Sequence, residues 1–189
     1  MNKIFILICC ILILQSCASP PPIDQLSTEE IVNLTKVTNT EFDSYIKITG
    51  VDIGNTISRG LNLDIEKYYM RSNIGKLDNK LESHQLYFEV KYSSNDWRFY
   101  NGANLKGGAI KNTTQISREV LDCSGNIFGS CDYREIVGVN FDYSDLELAA
   151  KEGLSVRLNT KYVDFFNYVY LPPNYFQGYL VVLNEYINK

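Results

Sequence analysis

His84-Gln85-Leu86-Tyr87-Phe88-Glu89-Val90-Lys91-Tyr92 is the stretch that decides the fold. His84, Leu86, Phe88, Val90 and Tyr92 fall on one side of an extended chain, and Gln85, Tyr87, Glu89 and Lys91 on the other. A period of two held this long describes a strand with one face against a core. Ser93-Ser94-Asn95-Asp96 reads as a turn. Trp97-Arg98-Phe99-Tyr100 is therefore expected to return beside the first strand as a hairpin.

The same alternation recurs on either side. Ile46 and Ile48 alternate with Lys47 and Thr49 and stop at Gly50. Tyr133, Glu135, Val137, Val139 and Phe141 share a face, and Gln115 to Leu121 is expected to pair with them in a second hairpin. Leu154, Val156 and Leu158 make a further strand. Tyr162 to Leu171 is an extended apolar run that Pro172-Pro173 breaks. Helical signals are fewer. Ser27 with Glu30, and Ser144 with Glu147, have capping-box spacing, and Gly153 would close the second helix. Phe176, Tyr179, Leu180, Leu183, Tyr186 and Ile187 recur at helical spacing. Gly178 inside that run costs about 1 kcal/mol relative to alanine. Six or seven short strands with small helices between them predict a mainly β chain. The expected architecture is an antiparallel β-sandwich with short peripheral helices and a C-terminal helix. The alternative is an α+β domain with one antiparallel sheet covered by that helix.

The N-terminus is of a different kind. Met1-Asn2-Lys3 precedes an unbroken apolar run, Ile4 to Leu14, which ends in Leu14-Gln15-Ser16-Cys17. Crossing a ~30 Å bilayer takes roughly 20 apolar residues, so this run is too short to span one. Lys3, the apolar run, Leu14 three residues before Cys17 and small Ser16 directly before it resemble the signal peptide of bacterial lipoproteins. Gln15 departs from the commoner small or apolar residue. The resemblance implies cleavage before Cys17 and a covalent lipid on Cys17, with no other cofactor expected. It also implies anchoring in a membrane of the bacterial envelope. Ala18 after the cysteine implies the outer membrane, and the domain is expected to face the periplasm, with the cell exterior as the alternative. Several acyl chains make a durable anchor, since each buried methylene adds ~0.8 kcal/mol and one chain is marginal. The expected organisation is a signal peptide over 1–16, a lipidated tether over 17–26 and one β-rich domain over 27–189. Pro20-Pro21-Pro22 favours an extended spacer in that tether. The stretch from Tyr87 to Tyr100, with its Asp96-Trp97-Arg98-Phe99-Tyr100 core, also resembles uncharacterised envelope lipoproteins over a small part of the chain and implies no site.

Removing 16 of 189 residues leaves 173, enough for one well-cored domain. The formal charge of −4 becomes about −5, because the segment removed carries Lys3 and no acid. A mildly acidic chain with no basic run lacks the electrostatic footprint of a nucleic-acid binder. It would not seek anionic lipid by charge either. Of five cysteines, Cys9 and Cys10 leave with the signal and Cys17 takes the lipid. Cys123 and Cys131 remain, in a compartment that permits disulfides and around a turn-rich loop. Two cysteines without a nearby histidine fall short of a zinc site, and their spacing is not that of a Cys-x-x-Cys redox pair. A structural disulfide is expected, closing a loop of about nine residues worth roughly 2–3 kcal/mol in the chain-entropy model.

Catalytic chemistry has few carriers. His84 is the only histidine and lies in phase with the apolar face of its strand, the place of a partly buried core residue. Gly102 to Gly108 lacks the Gly-Lys-Ser/Thr ending of a phosphate loop and reads as a hairpin turn. Asp142, Asp145 and Glu147 fit helix capping better than calcium ligation. Asp64 and Glu66 could pair as carboxylates, but spacing alone makes no glycosidase. No metal site is expected. The expected function is a non-enzymatic interaction or structural module with an envelope protein as partner. Its contact surface is expected at Trp97 and Tyr100 and at Ile127 and Phe128 of the cysteine loop. The tyrosines between Tyr162 and Tyr179 are further aromatic candidates, weighed against an ordinary role as sheet residues. A small apolar ligand between the sheets is the alternative, and an enzyme using His84 comes after it.

Overall fold

The 84–92 alternation is the middle of a longer strand, Leu81–Ser94, in the computed structural model, which describes residues 22–54, 64–124, 129–161 and 165–187. Ten strands are described: β1 (Lys36–Thr38), β2 (Tyr45–Thr49), β3 (Ile65–Gly75), β4 (Leu81–Ser94), β5 (Tyr100–Leu105), β6 (Ile110–Lys111), β7 (Thr113–Asp122), β8 (Cys131–Phe141), β9 (Leu154–Thr160) and β10 (Phe166–Leu171). Three α-helices accompany them: α1 (Thr28–Leu34), α2 (Tyr143–Glu152) and α3 (Pro173–Ile187). The strands form a six-stranded sheet in the order β1-β2-β3-β4-β8-β7 and a four-stranded sheet in the order β10-β9-β5-β6. Every pairing is antiparallel. The protein is mainly β with two sheets and a C-terminal helix. The second sheet rules out the one-sheet alternative.

The expected hairpin after β4 does not form. Both edges of β4 are occupied over most of its length, by β3 from Leu81 to Val90 on one side and by β8 from His84 to Ser94 on the other. The returning chain crosses to the small sheet and pairs with β9 as β5. A buried carboxylate guides the crossing. Glu135 on β8 has no exposed surface and accepts hydrogen bonds from the Phe99 and Tyr100 amides at 3.0 and 3.3 Å. It also accepts from Tyr92 OH at 2.5 Å and pairs with the Arg118 guanidinium at 3.0 Å. Phe99 sits at φ 55°, a left-handed conformation that turns the chain between the sheets.

The second expected hairpin is present as β7 and β8. β3 was not legible, although it is one of the longest strands. A register shift between Ile65 and Lys67 offsets its phase, and the inward row Tyr68, Met70, Ser72 and Ile74 contains a polar residue. The second helix begins two residues earlier than its Ser144 signal. Asp142 is the N-cap, and its amide donates to the Asp145 carboxylate at 2.8 Å. The packed domain also begins earlier than residue 27. Ile23–Gln25 is a 3-10 turn, Ile23 and Leu26 are buried, and Asn174 Nδ2 donates to both of their carbonyls.

Helix α3 lies on the large sheet and is held by tyrosines. Tyr175 OH accepts from the Met70 amide at 2.9 Å and donates to the Val51 carbonyl at 3.1 Å. Gly50 makes room for it, since a Cβ there would stand 2.4 Å from Tyr175 OH. Gly178 serves α1 in the same way. A Cβ on it would stand 2.7 Å from both the Thr28 carbonyl and Ile31 Cγ2. Between the sheets, Phe88, Val90, Tyr100, Ala103, Val156 and Leu158 belong to one continuous core. Among the described residues no helix is long and apolar enough to cross a membrane.

Candidate functional site

The expected contact surface is dispersed by the fold. Tyr100 is 1% exposed and its hydroxyl donates to Asn167 Oδ1 at 2.7 Å, so it is a core residue and offers nothing to a partner. Burial holds its phenol well above the usual tyrosine range. Trp97 is half-buried, its ring 4.5 Å from that of Tyr133. Cys123 and Cys131 are joined by a disulfide at the tip of the β7–β8 hairpin. Ile127, Phe128 and Cys17 lie outside the described residues.

His84 is the centre of a buried polar chain. It is 3% exposed, and its Nδ1 stands 2.6 Å from Ser72 Oγ, which is 2.5 Å from Tyr179 OH. Nε2 is buried with no hydrogen-bond partner. Desolvation lowers the imidazole pKa to about 4, although Asp142 pulls the other way. A serine beside a histidine has the composition of a nucleophile pair, but α3 closes over this one. It fastens the helix to β3 and β4. The other candidates are likewise engaged: Asp64 pairs with Arg98 at 2.6 Å, Glu66 with Lys91 at 2.5 Å, and Asp142 and Asp145 both with Lys111.

The exposed chemistry gathers on the outer face of the small sheet. Alternation along β10 buries Asn167, Val169 and Leu171 and turns out Phe166, Tyr168 and Tyr170, which remain 48, 52 and 50% exposed. The register sets a polar residue of β9 beside each ring: Asn159 beside Phe166, Arg157 beside Tyr168 and Ser155 beside Tyr170. One strand further in, Asn104 of β5 lies beside Arg157. Asn104 Oδ1 accepts from Arg157 Nη2 at 3.2 Å and from Asn159 Nδ2 at 2.6 Å. Arg157 Nε is buried and has no partner. A groove of about 480 Å³ opens here, with Lys106 and Ser155 on its wall beside Arg157, Asn104 and Tyr168. Its lining carries two cations and no carboxylate. Among the described arginines, Arg98, Arg118 and Arg134 hold carboxylates, whereas Arg71 and Arg157 hold only amide oxygens.

The other long exposed edge, β7, offers Ile116, Val120 and Leu121, but two register shifts interrupt it. Sequence reasoning brought the tyrosines of the 162–179 run forward but could not orient them. Phe166, Tyr168 and Tyr170 alternate with Asn167, Val169 and Leu171, so apolar residues occupy both faces and the pattern does not say which is outside. Comparisons with protein families, with curated proteins and with solved structures gave no match to this chain.

Proposed function

We propose that this chain is a lipid-anchored protein of the bacterial envelope whose β-rich domain is a non-enzymatic binding module, with the outer face of the small sheet as its contact surface. The observation that carries the reading is the row Phe166, Tyr168 and Tyr170, three half-exposed rings of which Tyr168 lines a groove without carboxylates. Large aromatic residues held at about half exposure on a rigid strand supply contact area at little conformational cost. Support for the anchor comes from the Leu14-Gln15-Ser16-Cys17 sequence. The docking of Ile23 supports a definite orientation. From Cys17 to Ile23 a fully extended chain reaches at most about 20 Å, so the α1–α3 side is held toward the bilayer. Leu34 and Val181, exposed on those helices, suit that position. The buried Ser72–His84 pair and the continuous inter-sheet core favour binding on the surface over catalysis or an internal ligand.

Two measurements test this. Cells producing the wild type should yield the protein in outer-membrane fractions with incorporated radiolabelled palmitate, and Cys17→Ala should lose both label and membrane association. Retention of the variant in the membrane to the wild-type extent would refute the anchor. A photo-crosslinking residue placed at Tyr168 should capture an envelope component, while the same residue at Glu82, exposed at the start of β4, should not. Equal capture at both positions would refute the contact surface.

A further inference from the structure

We infer that the outer face of the small sheet binds an acidic glycan. The inference rests on the reading of this face as the contact surface and adds the chemistry of what it holds. The Tyr168 ring stands half exposed in the groove wall, where it can lie against the apolar face of a sugar ring, while Phe166 packs edge-on against it with ring centroids 5.1 Å apart. Asn159, Arg157 and Ser155 stand one to each ring on the neighbouring strand. Amide and hydroxyl groups donate and accept, which suits sugar hydroxyls, and the guanidinium only donates.

Charge selects an acid among the sugars. The chain is net negative, yet the groove lining contains Arg157 and Lys106 and no carboxylate. Arg157 lines the groove with no carboxylate partner, its Nη2 resting only on Asn104, and a guanidinium is the side chain best matched to a carboxylate. The adjoining cleft, lined in part by Tyr170, carries Asp145 and Glu152. The cationic stretch therefore ends there, and the acidic group of the ligand belongs at the Arg157 end.

Geometry separates this occupant from an acidic peptide. A peptide adding to the free edge of β10 would pair along its backbone. Arg157 lies one strand in from that edge and Asn104 two strands in. A ligand that meets Tyr168, Arg157 and Asn104 together lies across the strands, on the face of the sheet.

Calorimetric titration of the full chain in detergent micelles tests the inference with three probes. These are a hexasaccharide of alternating glucuronate and N-acetylglucosamine, a neutral hexamer of N-acetylglucosamine, and hexaglutamate. The acidic sugar should bind at least tenfold more tightly than either of the others, and more weakly as salt rises. Arg157→Gln should abolish the preference for the acidic over the neutral sugar. Tyr168→Ala should weaken both sugars about tenfold, and Tyr168→Phe should retain them. Lys106→Gln, at an exposed turn residue, should reduce only the salt-sensitive part. Hexaglutamate binding as tightly as the acidic sugar, or sugar binding indifferent to Tyr168→Ala, would overturn the proposal. If no sugar binds while the photo-crosslinker at Tyr168 captures a protein, the glycan falls and the contact surface stands. If neither occurs, both fall.

Discussion

His84 shows at the scale of one residue how burial sets a pH dependence. Its pKa of about 4 in the fold lies below the 6.5 of the unfolded chain. Above pH 6.5 the ring is neutral in both states and contributes no slope. Between 6.5 and 4 the unfolded chain takes up the proton and the folded chain does not, so stability falls with pH across that window. By pH 4.5 the loss amounts to roughly 2–3 kcal/mol. Urea unfolding at pH 7.5 and 4.5 should show wild type losing that much more than His84→Asn, which cannot titrate. Parallel losses in the two proteins would disprove the assignment. The phase of His84 along its strand was readable beforehand. Its partners Ser72 and Tyr179 were not, because they come from positions 12 residues before and 95 residues after it in the chain.

At the scale of the element, Gly178 reverses what local propensity predicts. Within an isolated helix, replacing it by alanine would gain about 1 kcal/mol. In α3 the added carbon would press on the Thr28 carbonyl and on Ile31, and overpacking of this kind costs about 1–3 kcal/mol. Gly178→Ala should therefore lower the denaturant midpoint, and a rise would show that α1 moves aside freely. The capping signal of α1 was legible because its groups lie within one turn: Ser27 Oγ accepts from the Glu30 amide, and Glu30 accepts from the Ser27 amide at 2.7 Å. The crossing of α1 over α3 was not legible, since nothing near Gly178 in sequence names Ile31.

Across the whole molecule, Glu135 ties the two sheets. It stands in phase with the apolar residues of β8, and it joins Arg118 of β7, Tyr92 of β4 and the first amides of the crossover into β5. Removing its carboxylate takes the acceptor from the Tyr92 hydroxyl and the Tyr100 amide, and each buried donor left unsatisfied costs about 1–3 kcal/mol. Glu135→Ala should lose that much for each donor in equilibrium unfolding. Glu119→Ala, which removes a half-exposed partner of Arg134, should cost no more than about 1 kcal/mol. Comparable losses for the two variants would show that Glu135 is not the tie between the sheets.

What could be read along the chain was local. Period-two runs, caps, the Pro172-Pro173 break and the spacing of Cys123 and Cys131 depend on neighbours in sequence, and from them came the β class, the C-terminal helix and the second hairpin. Only the tertiary structure decided which strands share a sheet, because pairing follows which edges are free. That removed the hairpin after β4 and sent Tyr100 into the core. It also decided which aromatic residues face outward. Burial of Val169 and Leu171 left Tyr168 in solvent beside Arg157 of β9 and Asn104 of β5, a juxtaposition of three strands that no single run of sequence contains.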